Sequence, residues 1–165
     1  MHFEPDVILY VAHQDEFHAL ASHAASLVAQ GLKIPSPHLQ AVVNELGLSR
    51  DQAPGAIQAR LQSREPELLS ANYRAIVDEC RVRGTTAAWV YLPVPGAGGA
   101  DMRDKLVPIA KNSGFVTLDL TGWAHGRVGL FLTAEHHPNA RGHELIAEAL
   151  LNAIRNNPTF PFVSR

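Results

Sequence analysis

Three short segments rich in apolar side chains, separated by longer segments with helical periodicity, most strongly constrain the fold of this chain. They are residues 7–12, 87–92 and 115–120, and the first is apolar at every position. Such a segment is typical of a strand buried on both faces of a parallel sheet. The helical segments between them are long enough for right-handed crossovers. The pattern predicts an α/β domain with three layers, α/β/α, around a parallel sheet.

The predicted helices follow from apolar residues at helical spacing and from residues that begin or end a helix. They cover residues 16–30, 36–46, 57–61, 65–83, 101–112 and the region up to Ile154. Ser36 before Pro37 forms a helix cap and first-turn pair, and Pro108 predicts a kink or a break. Residues 33–64 are a longer helical insert than a crossover needs. The sequence leaves open whether this insert is a lid near a site or additional packing on the sheet.

Bulk properties exclude several classes of protein. The chain has 165 residues, 46% of them hydrophobic, which suits one domain with a substantial core. A formal charge of −2 with scattered basic residues disfavours a nucleic-acid partner. We expect no membrane span, because no apolar run is long enough, and we see no signal peptide, which makes a cytoplasmic location the default expectation. Cys80 lies within a helical pattern and is predicted to be a packing residue.

The first predicted strand begins almost at the first residue of the chain. A strand buried on both faces needs a neighbour on each side, and nothing before Val7 can supply one. An apolar sheet edge between Val7 and Val11 would be prone to association. We therefore predict that an oligomer contact, a partner chain or an unusual rearrangement covers this edge.

Residues 132–147 join a histidine-rich turn to an amphipathic helix. Glu135 and His137 lie two positions apart in the turn, and Pro138 suits the first turn of the helix. A carboxylate beside an imidazole can hold the ring in the tautomer that takes a proton from a serine hydroxyl. The alternative is that this turn only begins the helix, with its side chains acting as caps.

The segment His-Pro-Asn-Ala-Arg-Gly-His-Glu-Leu-Ile-Ala, residues 137–147, resembles the last sequence block of the SGNH/GDSL hydrolases. The resemblance implies a flavodoxin-like α/β fold and the hydrolysis of carboxylic esters. It assigns His137 as the general base. The orienting acid would be Glu135, since Ala134, three residues before the histidine, cannot serve.

A second block of the chain resembles the same family. The first strand ends in Ala-His-Gln-Asp, residues 12–15, where the family has Gly-x-Asn-Asp. The resemblance makes Gln14 an oxyanion donor in place of the asparagine, with Ala12 and Asp15 beside it in a substrate-binding segment. The alternative is a polar loop in which Asp15 caps the next helix.

The nucleophile motif of the family, Gly-Asp-Ser, is absent from the sequence. The chain therefore resembles the C-terminal part of an SGNH hydrolase domain, incomplete at its N-terminus and by itself inactive. It would act on a small-molecule or acylated ester substrate, with a serine that is either lost upstream or supplied by another chain. The rival hypothesis is a non-catalytic binding or assembly module that keeps the fold.

A metal site is the competing chemistry for the histidine-rich turn. Glu135, His136, His137, His143 and His125 are residues of metal-binding type. Their spacing matches no common zinc signature, and adjacent histidines point in different directions. The sequence therefore disfavours a metal site, and we expect no cofactor.

Overall fold

The computed structural model describes residues 4–94, 99–132 and 137–160. In these residues, three parallel strands form one sheet in the order β1, β2, β3. The strands are β1 (Val7–Ala12), β2 (Thr86–Tyr91) and β3 (Val116–Asp119). β1 pairs in register with the whole of β2, and β3 pairs with the last four residues of β2. The prediction of an α/β fold around a parallel sheet is confirmed.

Six helices surround the sheet in the described part of the chain. They are α1 (Glu16–Ala29), α2 (Pro37–Glu45), α3 (Pro54–Gln62), α4 (Glu65–Val82), α5 (Gly99–Ser113) and α6 (Ala140–Arg155). Ser36 caps α2 as predicted, because its Oγ accepts a hydrogen bond from the Leu39 N–H at 3.3 Å. Pro108 does not end α5. The helix continues because Leu106 and Ala110, on either side of the proline, are anchored in the core.

β2 is the central strand and is covered on both faces. Ala87, Trp89 and Tyr91 point to the layer formed by α1, α4 and α5, while Ala88 and Val90 point to α6 and the loop after β3. All five side chains are at most 7% exposed. This burial explains why the segment is apolar at nearly every position.

The helical insert packs on the outer side of the first layer. Helices α2 and α3 share a second apolar core with α1 and α4, whose largest fully buried members are Ile57, Leu61 and Leu68. Cys80 lies in the first core, and burial raises the pKa of its thiol. That environment agrees with the predicted packing role of the cysteine.

β1 lies at an edge of the sheet, as predicted, but the prediction that both of its faces are buried is wrong. Leu9 and Val11 are 41% and 53% exposed on the α6 side of the sheet, and Ile8 is 40% exposed on the other side. The reason is that α6 packs over β3 and not over β1. Within residues 4–94, 99–132 and 137–160 no element pairs with the free edge of β1. Covering of this edge by another chain stays a prediction.

A chain of hydrogen bonds fixes β1, β2, α1 and α4 to one another inside the core. The Trp89 indole N–H donates to the Tyr73 hydroxyl at 2.7 Å, and that hydroxyl donates to the Glu16 carboxylate at 3.3 Å. The Tyr10 hydroxyl donates to the same carboxylate oxygen at 2.8 Å. Burial raises the pKa of Glu16, against the opposing effect of these hydrogen bonds. Burial and the nearby Glu16 charge raise the pKa of both tyrosines, so their hydroxyls remain donors.

We predict that Tyr73→Phe destabilises the protein by about 1–3 kcal/mol, because it leaves the buried Trp89 N–H without an acceptor. Urea unfolding followed by circular dichroism measures the change. Tyr10→Phe is the matched control, since it removes one hydroxyl from Glu16 and leaves the tryptophan paired. An equal or larger loss in Tyr10→Phe would contradict this assignment.

Candidate functional site

The candidate site lies at the carboxyl edge of the sheet, where parallel strands place their following loops together. The loops are residues 13–15 after β1, 92–94 after β2 and 120–127 after β3. Helix α6 also begins at this edge, because it runs antiparallel to β3. At the other end of α6, the Asn157 side-chain amide donates to the carbonyl of Thr117, near the start of β3.

Gln14 is held against the loop that follows β2. Its side-chain Oε1 accepts a hydrogen bond from the Val94 N–H at 3.2 Å. This contact fixes which end of the amide faces the protein, and it directs the Nε2 group, the donor end, away from that loop. Gln14 is half-buried, so the longer side chain is positioned rather than free in solvent. The arrangement suits a hydrogen-bond donor to an anionic oxygen.

The neighbours of Gln14 have different environments. The Ala12 side chain is fully buried, and its carbonyl accepts a hydrogen bond from the Leu92 N–H, so only its backbone is near the edge. Asp15 is exposed, and its N–H donates to the His13 Nδ1 at 3.2 Å. The Asp15 side chain makes no capping hydrogen bond to α1. Asp15 nevertheless occupies the N-cap position of α1, where its backbone carbonyl accepts from the Ala19 N–H at 3.2 Å, so the alternative of a polar loop that leads into the helix stays a prediction.

The loop before α6 is closed by backbone pairing. Phe131 and Pro138 form an isolated antiparallel bridge, and the Leu132 N–H donates to the His137 carbonyl at 3.0 Å. The apolar residues 128–132 form a loop with this single bridge. The helix begins at Ala140 instead of Pro138. The proline is used in the bridge, which takes it out of the first helical turn.

Asn139 ties this loop to the start of α6. Its side-chain oxygen accepts from the Gly142 N–H at 3.0 Å, which caps the helix. Its side-chain nitrogen donates to the carbonyls of Gly129 at 2.8 Å and Phe131 at 3.4 Å. The backbone N–H of Asn139 donates to Leu130. One side chain therefore connects both sides of the loop that carries His137.

Gly142 allows this loop to lie directly on the helix. A Cβ atom at this position would lie 2.5 Å from the carbonyl oxygen of Leu130 and 2.9 Å from the Cβ of Pro138. The first contact is with backbone, which cannot move aside as a flexible side chain can. The glycine is therefore required for the close approach of the loop to α6.

Trp123 links the histidine loop to the end of β2. Its indole N–H donates to the Pro93 carbonyl at 3.0 Å, and its ring packs edge-on against Phe131 with 5.8 Å between ring centroids. Pro93 immediately precedes Val94, the residue that holds Gln14. A continuous series of contacts therefore connects the Gln14 loop to the loop that contains His137.

The side chain of His137 lies in an exposed position. Its predicted partner Glu135 lies outside the described residues, as does His136. The pairing of Glu135 with His137 therefore stays a prediction. In the described part of the chain, no group of three or more His, Cys, Asp or Glu side chains is arranged to hold a metal ion.

A second polar cluster lies at the end of β3, and the sequence pattern did not indicate it. Asp119 accepts hydrogen bonds from the Thr121 N–H at 2.9 Å and from the Arg103 guanidinium. Burial tends to raise the pKa of Asp119, but these hydrogen bonds outweigh it and lower the pKa. Arg103 also pairs with Asp104 at 2.7 Å. The cluster joins α5 to the carboxyl edge and leaves Asp119 ionised.

The described residues also form two grooves outside the Gln14 and His137 positions. One of about 370 Å³ runs along α6 and is lined by Asp119, Arg127, Glu148 and Asn152 among others. The other, of about 520 Å³, lies between α2 and α5 over α4, with His38 and Arg74 at its rim. Both grooves have mixed charges, and neither is lined by Gln14 or His137. The candidate site rests on the arrangement of its polar groups and not on the size of a cavity.

Comparison of the chain with protein-family models, with curated proteins and with solved structures finds no match in any of the three. Among the residues that the structure describes, no helix has the length and apolar character needed to cross a membrane. The interpretation of the site therefore depends on its own geometry and on the motif resemblance.

We predict that Gly142→Ala destabilises the protein, although the same change in most helices stabilises it by about 0.5–1 kcal/mol. The reason is the clash with the Leu130 carbonyl, for which a cost of about 1–3 kcal/mol is typical of overpacking. Gly55→Ala in α3 is the matched control, because a Cβ there meets no atom within 4 Å. Thermal unfolding of both variants measures the difference. A gain of stability in both would show that the loop does not lie on α6.

Proposed function

We propose that this chain contributes the base and the oxyanion donor of a hydrolase for carboxylic esters of the SGNH/GDSL type. The observation that carries the proposal is the folding of the family-like segment around residues 137–142. Its histidine is exposed at the carboxyl edge of the sheet, on a loop fixed by Asn139 and Gly142. Precise positioning of this kind is what general-base catalysis requires.

In the proposed reaction, His137 takes the proton of a nucleophilic hydroxyl as its oxygen attacks the ester carbonyl. The tetrahedral intermediate carries its negative charge on the former carbonyl oxygen, to which the Gln14 Nε2 donates a hydrogen bond. The imidazolium then returns the proton to the departing alcohol as the ester C–O bond breaks, and a water that gives its proton to the same histidine releases the acyl group from the hydroxyl as a carboxylic acid. Glu135 would hold the imidazole in the required tautomer.

The nucleophilic hydroxyl is not provided by the described serines of this chain. They lie on α1 and α4, at the ends of α2, α3 and α5, and in the turn at residue 49. Ser113, at the end of α5, is buried next to the opposite edge of the sheet. We therefore propose that the hydroxyl comes from a second polypeptide. A flavodoxin-like SGNH fold, completed by further strands, is the finer fold assignment that this proposal carries.

The alternative function is a binding or assembly module without catalytic activity. The absence of a Gly-Asp-Ser motif favours it, as does the exposure of apolar side chains on β1. In that case the fixed loop before α6 would present His137 for recognition only.

The two functions are separated by the hydrolysis of p-nitrophenyl acetate, an activated ester that an imidazole can cleave without a serine. The chain alone is expected to lack the serine-dependent reaction, but we predict that its positioned imidazole releases p-nitrophenol faster than an equal concentration of free imidazole. In His137→Ala the rate should fall to that of the eight remaining histidines, which is no faster than free imidazole, because the positioned base has been removed. His143→Ala is the control, since His143 is an exposed histidine of α6, and it should keep the full rate.

A His137→Ala variant as fast as the unchanged protein would refute the assignment of this histidine. A protein without any turnover above free imidazole would favour the binding module. Gln14→Ala should reduce the rate while leaving the fold intact, which circular dichroism verifies.

A further inference from the structure

Leu132 lies directly opposite His137 in the loop before α6. Phe131 and Pro138 form the antiparallel bridge of this loop, and the Leu132 N–H donates to the His137 carbonyl at 3.0 Å. Counting one residue from the bridge towards the end of the loop pairs residue 132 with residue 137. Residues that oppose each other in an antiparallel pair carry their side chains on the same face, with Cβ atoms about 5 Å apart. The Leu132 side chain therefore lies beside the imidazole of His137.

The face of the loop that carries Leu132 and His137 is open to solvent. Phe131, the neighbour of Leu132, points to the opposite face, where its ring packs against Trp123 in the core on the α6 side of the sheet. Leu132 is 51% exposed, and His137 is exposed as well. The loop thus presents an apolar side chain and a base together. An apolar group of a ligand would remove this leucine from water.

The proposed reaction determines which part of the ester meets Leu132. The carbonyl oxygen of the ester lies at the Gln14 Nε2, which donates to it in the tetrahedral intermediate. The oxygen of the departing alcohol must lie within about 3 Å of an imidazole nitrogen of His137, because it receives the proton from that ring. The carbon group bonded to this oxygen is therefore the part of the substrate that lies next to Leu132.

We propose that Leu132 is a specificity-determining residue that selects esters of apolar alcohols. The inference rests on the ester hydrolysis proposed above and names the substrate class for that same site. A carbohydrate alcohol would be disfavoured, because its hydroxyl groups would lose water against the leucine without gaining a hydrogen-bond partner.

The test compares two acetate esters with the full chain, p-nitrophenyl acetate and 3-butyl-4-nitrophenyl acetate. Each rate is divided by the rate of free imidazole on the same ester, which cancels the intrinsic reactivity of the two esters. We expect this ratio to be about tenfold higher for the butyl ester, the gain expected when about two methylene groups leave water. In Leu132→Asn the two ratios should become equal, because the apolar contact has been removed.

Leu32→Asn is the matched control, because Leu32 is a leucine of similar exposure, 53%, far from the site. It follows α1, whose 14 residues extend about 21 Å away from the carboxyl edge. This variant should keep the tenfold preference, and circular dichroism checks that both variants are folded. p-Nitrophenyl hexanoate carries an equal extension on the acyl side and should show a smaller gain.

The outcomes separate this inference from the function on which it rests. Turnover of p-nitrophenyl acetate that is absent, or that persists in His137→Ala, would overturn both. Turnover that depends on His137 but shows no preference for the butyl ester would overturn the role of Leu132 alone. A preference that survives in Leu132→Asn, or a larger gain with the hexanoate that depends on Leu132, would do the same.

Discussion

Burial of β2 between two helical layers is the constraint on which the rest of the structure depends. Trp89 fills one face of this strand, and its N–H must find an acceptor because no water reaches it. The hydroxyl of Tyr73 on α4 is that acceptor, and the same hydroxyl donates a hydrogen bond to the Glu16 carboxylate on α1. The position of α1 relative to the sheet is therefore set by a polar contact inside an apolar core. Gln14, just before α1, is held by a separate contact, the hydrogen bond from the Val94 N–H.

The candidate site is held together in a different way. Backbone groups of its loops form hydrogen bonds with side chains that other contacts hold in place. Asn139 contacts carbonyls on the loop and an N–H of α6, and Trp123 reaches the carbonyl of Pro93. Loops held in this way can present side chains with the precision that chemistry needs, although they contain no regular structure. Polar groups follow the carboxyl ends of all three strands. At the amino ends of the strands, Ser113 and Thr85 are buried.

Much of the fold was predictable from the sequence, because apolar periodicity reports burial. The three strands, their parallel arrangement and all the main helices follow from it. The exposed face of β1 was not predictable, because the sequence pattern of an apolar strand is the same whether or not another element covers it. Of the site, the motif indicated His137 and Gln14. The roles of Trp123 and Gly142 depend on contacts between distant segments, which no local pattern records. The pairing of Asp119 with Arg103 likewise joins segments that are distant in sequence, so no local pattern indicates it.

Native-state amide hydrogen exchange tests the central claim most directly, because it measures the free energy of opening at each backbone position. If β2 is the strand on which the fold depends, the amides of residues 87–91 exchange only through global unfolding, at the full free energy measured with denaturant. The amides of α2 (Pro37–Glu45), which lies in the outer part of the helical layer, then exchange at a lower free energy. Exchange from β2 that is as easy as exchange from α2 would contradict this account.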